Sequence, residues 1–215
     1  MIFHDRADAG QKLALALQKF KNAKNTIILA LPRGGVVVGF ETAEELNLPL
    51  DIIVPRKIGA PDNEEFAIGA ITESGEGIFD QEIISTYDIS QDYIDKTVAK
   101  EKKEAERRLK TYRGDRPSLE LKDKTVIIVD DGIATGSTMR AAIKSVKTKQ
   151  AKKVIVAVPT SAADSAAEIK KEVDEFICLD IPEYFGAVGA FYEVFIQTED
   201  NEVIELLQKS EGFGK

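Results

Sequence analysis

The run Val126-Ile127-Ile128-Val129 ends on two adjacent carboxylates, Asp130-Asp131, and the chain then crosses Gly132-Ile133-Ala134-Thr135-Gly136-Ser137-Thr138 into the helical pattern Met139 to Val146. Continuous β-branched apolar residues read as a strand buried on both faces, so the stretch is a strand, a loop and a helix start. That order leaves few folds open. Ligands of open parallel sheets bind outside the carboxyl ends of the strands, where a helix begins. Gly132 and Gly136 let the backbone approach a ligand, and the N–H groups from Ala134 to Thr138 can point at an anion, joined by the hydroxyls of Thr135, Ser137 and Thr138. Such a loop suits a phosphate. The two acids before it can accept hydrogen bonds from vicinal hydroxyls or hold magnesium through water, so the stretch reads as a sugar-phosphate cradle.

A plainer reading makes Asp130 and Asp131 a strand end and Thr135 or Ser137 a helix cap. Capping needs one such residue, not two acids, two glycines and three hydroxyls within nine positions. The Gly-Lys-Ser/Thr core of a P-loop is missing, and so is G-x-G-x-x-G. Ile128 to Thr138 resembles the phosphoribosyl diphosphate loop of the type I phosphoribosyltransferases. The Asp5-Arg6-Ala7-Asp8-Ala9-Gly10 element adds a match to that resemblance without assigning chemistry.

Two other strand ends carry cations. Thr26 to Leu31 runs into Pro32-Arg33-Gly34-Gly35 before the helical stretch Val36 to Leu46. Arg33 can grip a phosphate bidentately while Gly34 and Gly35 permit tight backbone against an anion; alone, a plain βα turn with a surface arginine is the favoured reading, and beside the first loop the stretch becomes the natural seat for a second phosphate group. Leu50 to Val54 leads to Pro55-Arg56-Lys57, where two cations can neutralise a departing pyrophosphate or form a solvated dibasic pair. The Gly, Pro, Asp and Asn content of 59–66 is that of a mobile surface loop. In the family this resembles, the first of these loops binds pyrophosphate and the second closes over substrate, and an Arg-Lys pair resembles the adenine-type members.

Strand and helix alternate from Thr26 to Leu179 without repeats, which predicts an α/β fold with a doubly wound, mainly parallel sheet. A hairpin is expected over Ala67 to Phe79 with its turn at Glu73-Ser74-Gly75-Glu76. The long helix through Ile94, Val98, Ala105, Leu109 and Tyr112 carries charges that pair at i,i+4, the mark of a solvated face. At 215 residues we expect one domain, with a core over about 20–180 and a small hood over about 181–215 together with the N-terminal helix. The aromatic tail from Tyr184 to Phe195 suits both: Phe191 and Phe195 as packing, and Tyr184, Phe185 and Val188 as an apolar wall for a planar heterocycle.

Composition excludes other classes. A net charge of −8 argues against an extended nucleic-acid surface. Cys178 is alone, so no intramolecular disulfide or cysteine metal cluster forms, and a buried small hydrophobe is expected there. His4 reads as a solvated terminal histidine. No apolar stretch approaches a membrane span and the first residues lack a signal-peptide layout, so a cytoplasmic protein with no membrane partner is expected.

The resemblance implies a Mg2+-dependent phosphoribosyltransferase that joins ribose 5-phosphate to a nitrogenous base, purine-like by preference, with loss of pyrophosphate. Asp130 and Asp131 would hold the ribose hydroxyls and the metal; Gly132, Ala134, Thr135, Gly136, Ser137 and Thr138 the 5-phosphate; Arg33, Gly34 and Gly35 the pyrophosphate, with Arg56 and Lys57 aiding its departure. Hypoxanthine-guanine members carry an acid where this chain has Ala134, so proton removal passes to Glu65, with Glu64 next. The alternative is a regulatory protein that binds phosphoribosyl diphosphate without turnover. A hydrolase lacks a nucleophile arrangement, and a homodimer stays open.

Overall fold

The computed structural model describes residues 1–72, 75 and 77–214, excepting the side chains of Glu64 and Glu65. Its elements in chain order begin with α1 (Arg6–Ala16), β1 (Thr26–Ala30), α2 (Gly34–Leu46) and β2 (Leu50–Ile52). An inserted unit follows, made of β3 (Arg56–Ala60), β4 (Asn63–Ile71), β5 (Gly77–Phe79), α3 (Gln81–Thr86) and α4 (Gln91–Arg113). The chain then completes the sheet with β6 (Thr125–Val129), α5 (Ser137–Thr148), β7 (Lys153–Thr160), α6 (Ala163–Glu172) and β8 (Glu175–Asp180), and ends in α7 (Asp200–Lys209).

The main sheet is parallel in the order β2-β1-β6-β7-β8. Successive strand residues point to opposite faces, and the apolar runs fill both. Ile28, Ala30, Ile127, Val129, Ile155 and Ala157 pack on one side with α1, α2 and α7; Ile27, Leu29, Val126, Ile128, Val154 and Val156 pack on the other with α5 and α6. The expected α/β architecture is therefore present. Through Val203 and Leu207, α7 belongs to the main core, as α1 does through Leu13 and Leu17.

The stretch 59–66 is a correction. It is not an irregular loop: β3 pairs antiparallel with β4, leaving only Pro61-Asp62 as the turn between them. The apolar pattern explains it, because Ile58, Ile68 and Ile71 are fully buried and close a small core with Ile89 and Ile94. Turn-forming composition outweighed that short pattern in the sequence reading. β4 and β5 form the expected hairpin; of its turn, residues 73, 74 and 76 lie outside the described residues. Helix α2 also starts earlier than expected, with Arg33 as its N-cap and the two glycines in its first turn.

Candidate active site

β1 and β6 are neighbours whose chains leave in opposite directions, β1 toward β2 and β6 toward β7. This is the switch point of an open sheet, where the following loops part and leave a crevice. Register sets the two loops level: Ala30 lies beside Val129, and the Leu31 N–H donates to the Val129 carbonyl at 2.9 Å. The loops then touch. A methyl at Gly34 would stand 2.1 Å from Asp131 Oδ2, and one at Gly35 would stand 2.8 Å from Asp130 Oδ1. The glycines are thus required by close approach to the acid pair, and the Pro32–Arg33 peptide beside them is cis.

The acids differ in environment. Burial, then the neighbouring Asp131 charge, pushes the Asp130 carboxyl well above the usual carboxylate range, although its Oδ1 accepts the Asp131 N–H at 2.8 Å. Asp131 is held from α1: Arg6 Nε donates to its Oδ2 at 2.8 Å, with both side chains largely buried. The Arg6 guanidinium also lies 3.9 Å from the Phe195 ring centroid and donates to the Ile196 carbonyl at 2.7 Å. Adjacent carboxylates are hard oxygen donors and fit magnesium, which is commonly held by one or two carboxylates with substrate oxygens and water. Among the described residues no group of three or more His, Cys, Asp or Glu gathers for a metal, so the ion would share these acids with substrate.

After the acids the backbone is pinned at Ile133 and at Ala134, whose carbonyl accepts from the Ser165 hydroxyl at 2.6 Å. Ile133 donates to the Thr160 carbonyl at 3.0 Å and accepts from the Ala162 N–H at 2.9 Å. Ala134, Thr135 and Thr138 are exposed, Ser137 is half-buried and Gly136 is buried. Gly136 has φ +75° and stands at the N-cap of α5, where no side chain makes a capping hydrogen bond. The plain capping role weighed for Thr135 and Ser137 is therefore absent, and the first-turn N–H groups of a twelve-residue helix have no intrahelical acceptors.

Two of the cations share a cavity. Arg56, Lys57, Pro32 and Thr138 line a cavity of about 380 Å3 at the ends of β1 and β2. Arg56 Nε donates to Glu101 Oε2 at 2.7 Å. Arg33 Nη1 lies 3.5 Å from Asp200 Oδ1 and 3.9 Å from Glu199 Oε2, at the start of α7. Glu65 stands in β4 and its side chain lies outside the described residues, as does that of Glu64.

The model of the phosphoribosyl transferase domain matches residues 4–193, which includes every one of these loops. The chain belongs to the phosphoribosyl transferase family. A protein of Mycobacterium tuberculosis, named provisionally as a phosphoribosyl transferase, is 39% identical over 209 residues, covering 97% of this chain and 47% of that protein. The chain thus spans about half the length of the curated relatives it matches. The crystal structure of TT1426 from Thermus thermophilus is 37% identical with a TM-score of 0.84, over 97% of this chain and 99% of that one. A uracil phosphoribosyltransferase of Sulfolobus acidocaldarius is 46% identical over 65 residues, 30% of this chain and 28% of that protein.

In this phosphoribosyl transferase domain the chain ends meet over the acid pair. Phe3 is buried with Phe191 and Tyr192, donates its N–H to the Phe191 carbonyl at 2.8 Å and accepts from the Glu193 N–H at 2.9 Å. The Tyr192 hydroxyl donates to the Asp131 carbonyl at 2.5 Å, and Val188 sits against Gly132. Phe185 stacks on Phe191, whereas Tyr184 projects into solvent with 84% of its surface exposed. Sequence reasoning left Arg6 without a role; the Asp-Arg element carried its signal, but the partner lies 125 positions away. Cys178 is half-buried in β8, and burial pushes its thiol up to about 11, so it is no nucleophile. His4 is exposed beside Glu193.

Proposed function

We propose that this chain transfers ribose 5-phosphate from phosphoribosyl diphosphate to a nitrogenous base and releases pyrophosphate. The observation that carries the reading is the apposition of Gly34-Gly35 to Asp130-Asp131, which sets an arginine-bearing loop and an anion-binding helix start on either side of two carboxylates. A phosphate, a vicinal diol and a second anionic group would suit the helix start, the acids and the arginine loop, and phosphoribosyl diphosphate has all three.

In the transfer, the bond from C1 to the pyrophosphate oxygen breaks, the bond from C1 to the base nitrogen forms, and the base loses a proton. Charge builds on the leaving oxygen while C1 gains oxocarbenium character, so fixed cations beside pyrophosphate and fixed anions beside the sugar lower the barrier. Arg33, Arg56 and Lys57 serve the first need. Asp130 and Asp131 orient the ribose hydroxyls, and Asp131 serves the second. Magnesium bound with the substrate would neutralise pyrophosphate charge. The covering tail excludes water that would otherwise hydrolyse the activated sugar.

A purine-like base is the first acceptor to test, given the likeness of Arg56-Lys57 to adenine-type members; the uracil enzyme among the relatives puts pyrimidines in the same panel. Pyrophosphate release should be measured with phosphoribosyl diphosphate, magnesium and each common base. No product with any base would sink the transferase reading, and tight binding without turnover would favour a regulatory role. Substituting Asp130 and Asp131 together by Asn should keep the fold, as read by circular dichroism, and abolish ribose 5-phosphate binding.

A further inference from the structure

Helix α4 looks solvated in its charge pattern, yet one of its faces closes the cavity of about 380 Å3 in front of Pro32, Arg56 and Thr138. Tyr93, Thr97, Lys100, Glu101 and Arg108 form that wall. The helix is fixed there at both ends. Near its start the Tyr93 hydroxyl donates to the Gly59 carbonyl at 2.9 Å; at its end Arg113 makes two 3.1 Å contacts with the buried Asp51 of β2. Four cations, Arg56, Lys57, Lys100 and Arg108, therefore line one cavity together with the carboxylate of Glu101. Arg108 gives its Nε to Glu104 at 2.8 Å, which fixes the direction of its guanidinium.

We propose that α4 is the far wall of the leaving-group pocket: Lys100 and Arg108 bind pyrophosphate, and Glu101 holds Arg56 until that anion arrives and takes its place. This rests on the transferase reading for the identity of the anion. Glu101 and Arg56 are both largely buried and joined at 2.7 Å, so an incoming pyrophosphate exchanges one anionic partner of Arg56 for another, and the displaced Glu101 carboxylate stays in a cavity that Lys57 and Lys100 also line. The insertion between β2 and β6 acquires a purpose from this, because it places a cationic helix face in the cavity that Pro32, Arg56 and Thr138 also line.

The test is calorimetric titration with inorganic pyrophosphate and, separately, with ribose 5-phosphate at fixed ionic strength. The Lys100→Gln, Arg108→Gln double variant should lose roughly tenfold or more in pyrophosphate affinity, with ribose 5-phosphate affinity essentially unchanged. Glu101→Gln should bind pyrophosphate more tightly than the unsubstituted chain. Unchanged pyrophosphate affinity in the double variant, an equal loss for both ligands, or no pyrophosphate binding by the unsubstituted chain overturns the proposal; weaker binding by Glu101→Gln overturns the exchange. Selective loss in the double variant, found together with no turnover on any base, would leave the pocket wall standing while the transferase reading falls.

Discussion

Gly34 occupies a position where one methyl group would meet Asp131 Oδ2 at 2.1 Å and Arg6 Nε at 2.6 Å. Gly34→Ala must therefore push the two loops apart, at a cost of about 1–3 kcal/mol, and should lower the urea midpoint while weakening ribose 5-phosphate binding. Normal binding in that variant would show that the apposed loops are not one site. Arg6 is the residue whose importance was hardest to see. Its match to a family element was visible, but a lone arginine near the chain start says nothing about a carboxylate on another strand. Arg6→Met leaves Asp131 largely buried and unpaired and should cost about 2–3 kcal/mol. Adding Asp131→Asn should recover part of that loss, so the double variant is more stable than the sum of the two singles predicts. Additivity within error in a denaturation cycle would contradict the coupling.

Among the elements, α7 is tied to the site by a short polar chain. The Tyr112 hydroxyl of α4 donates to Asp200 Oδ1 at 2.7 Å, and Asp200 in turn faces Arg33. Burial, then the hydrogen bond to Asp200, pushes the tyrosine from its ordinary 10.0 up to about 12. The fold thus favours the neutral phenol. Its stabilising contribution is complete below pH 10 and is lost as pH rises through 10 toward about 12. Tyr112→Phe should lose about 1 kcal/mol near neutrality, and its stability should fall less steeply than that of the unsubstituted chain over the alkaline limb. Parallel alkaline limbs in a pH series of thermal melts would contradict this. The same scale shows why the insertion was misread. β3 and β4 contribute few buried residues each, and their pattern gains meaning only when Ile89, between α3 and α4, and Ile94 of α4 arrive to complete the small core.

Across the whole molecule, the chain ends form one packed unit above the acids. Phe3 is fully buried, with its ring centroid 5.5 Å from that of Tyr192, and Tyr192 reaches the Asp131 backbone. Phe3→Ala should cost about 3–5 kcal/mol and loosen 191–196 together with α1, seen as faster amide hydrogen exchange in both segments. Exchange confined to the first residues would mean that the ends do not act as a unit. No helix of the described residues is long and apolar enough to cross a membrane.

The residues of 126–138 by themselves determined the strand, the glycine-bearing loop and the helix start, because those depend on local chemistry: β-branched burial, glycine backbone freedom and the onset of a helical apolar pattern. The Arg33 loop and the alternation that makes the main sheet parallel were legible for the same reason. Only the tertiary structure decided which groups answer one another. It paired Arg6 with Asp131, Arg56 with Glu101 and Tyr112 with Asp200, turned the supposed loop after Lys57 into a sheet, and brought a charged helix face to a cavity. Those partners are 125, 45 and 88 positions apart, and charge complementarity over such separations leaves no periodic trace in a single chain.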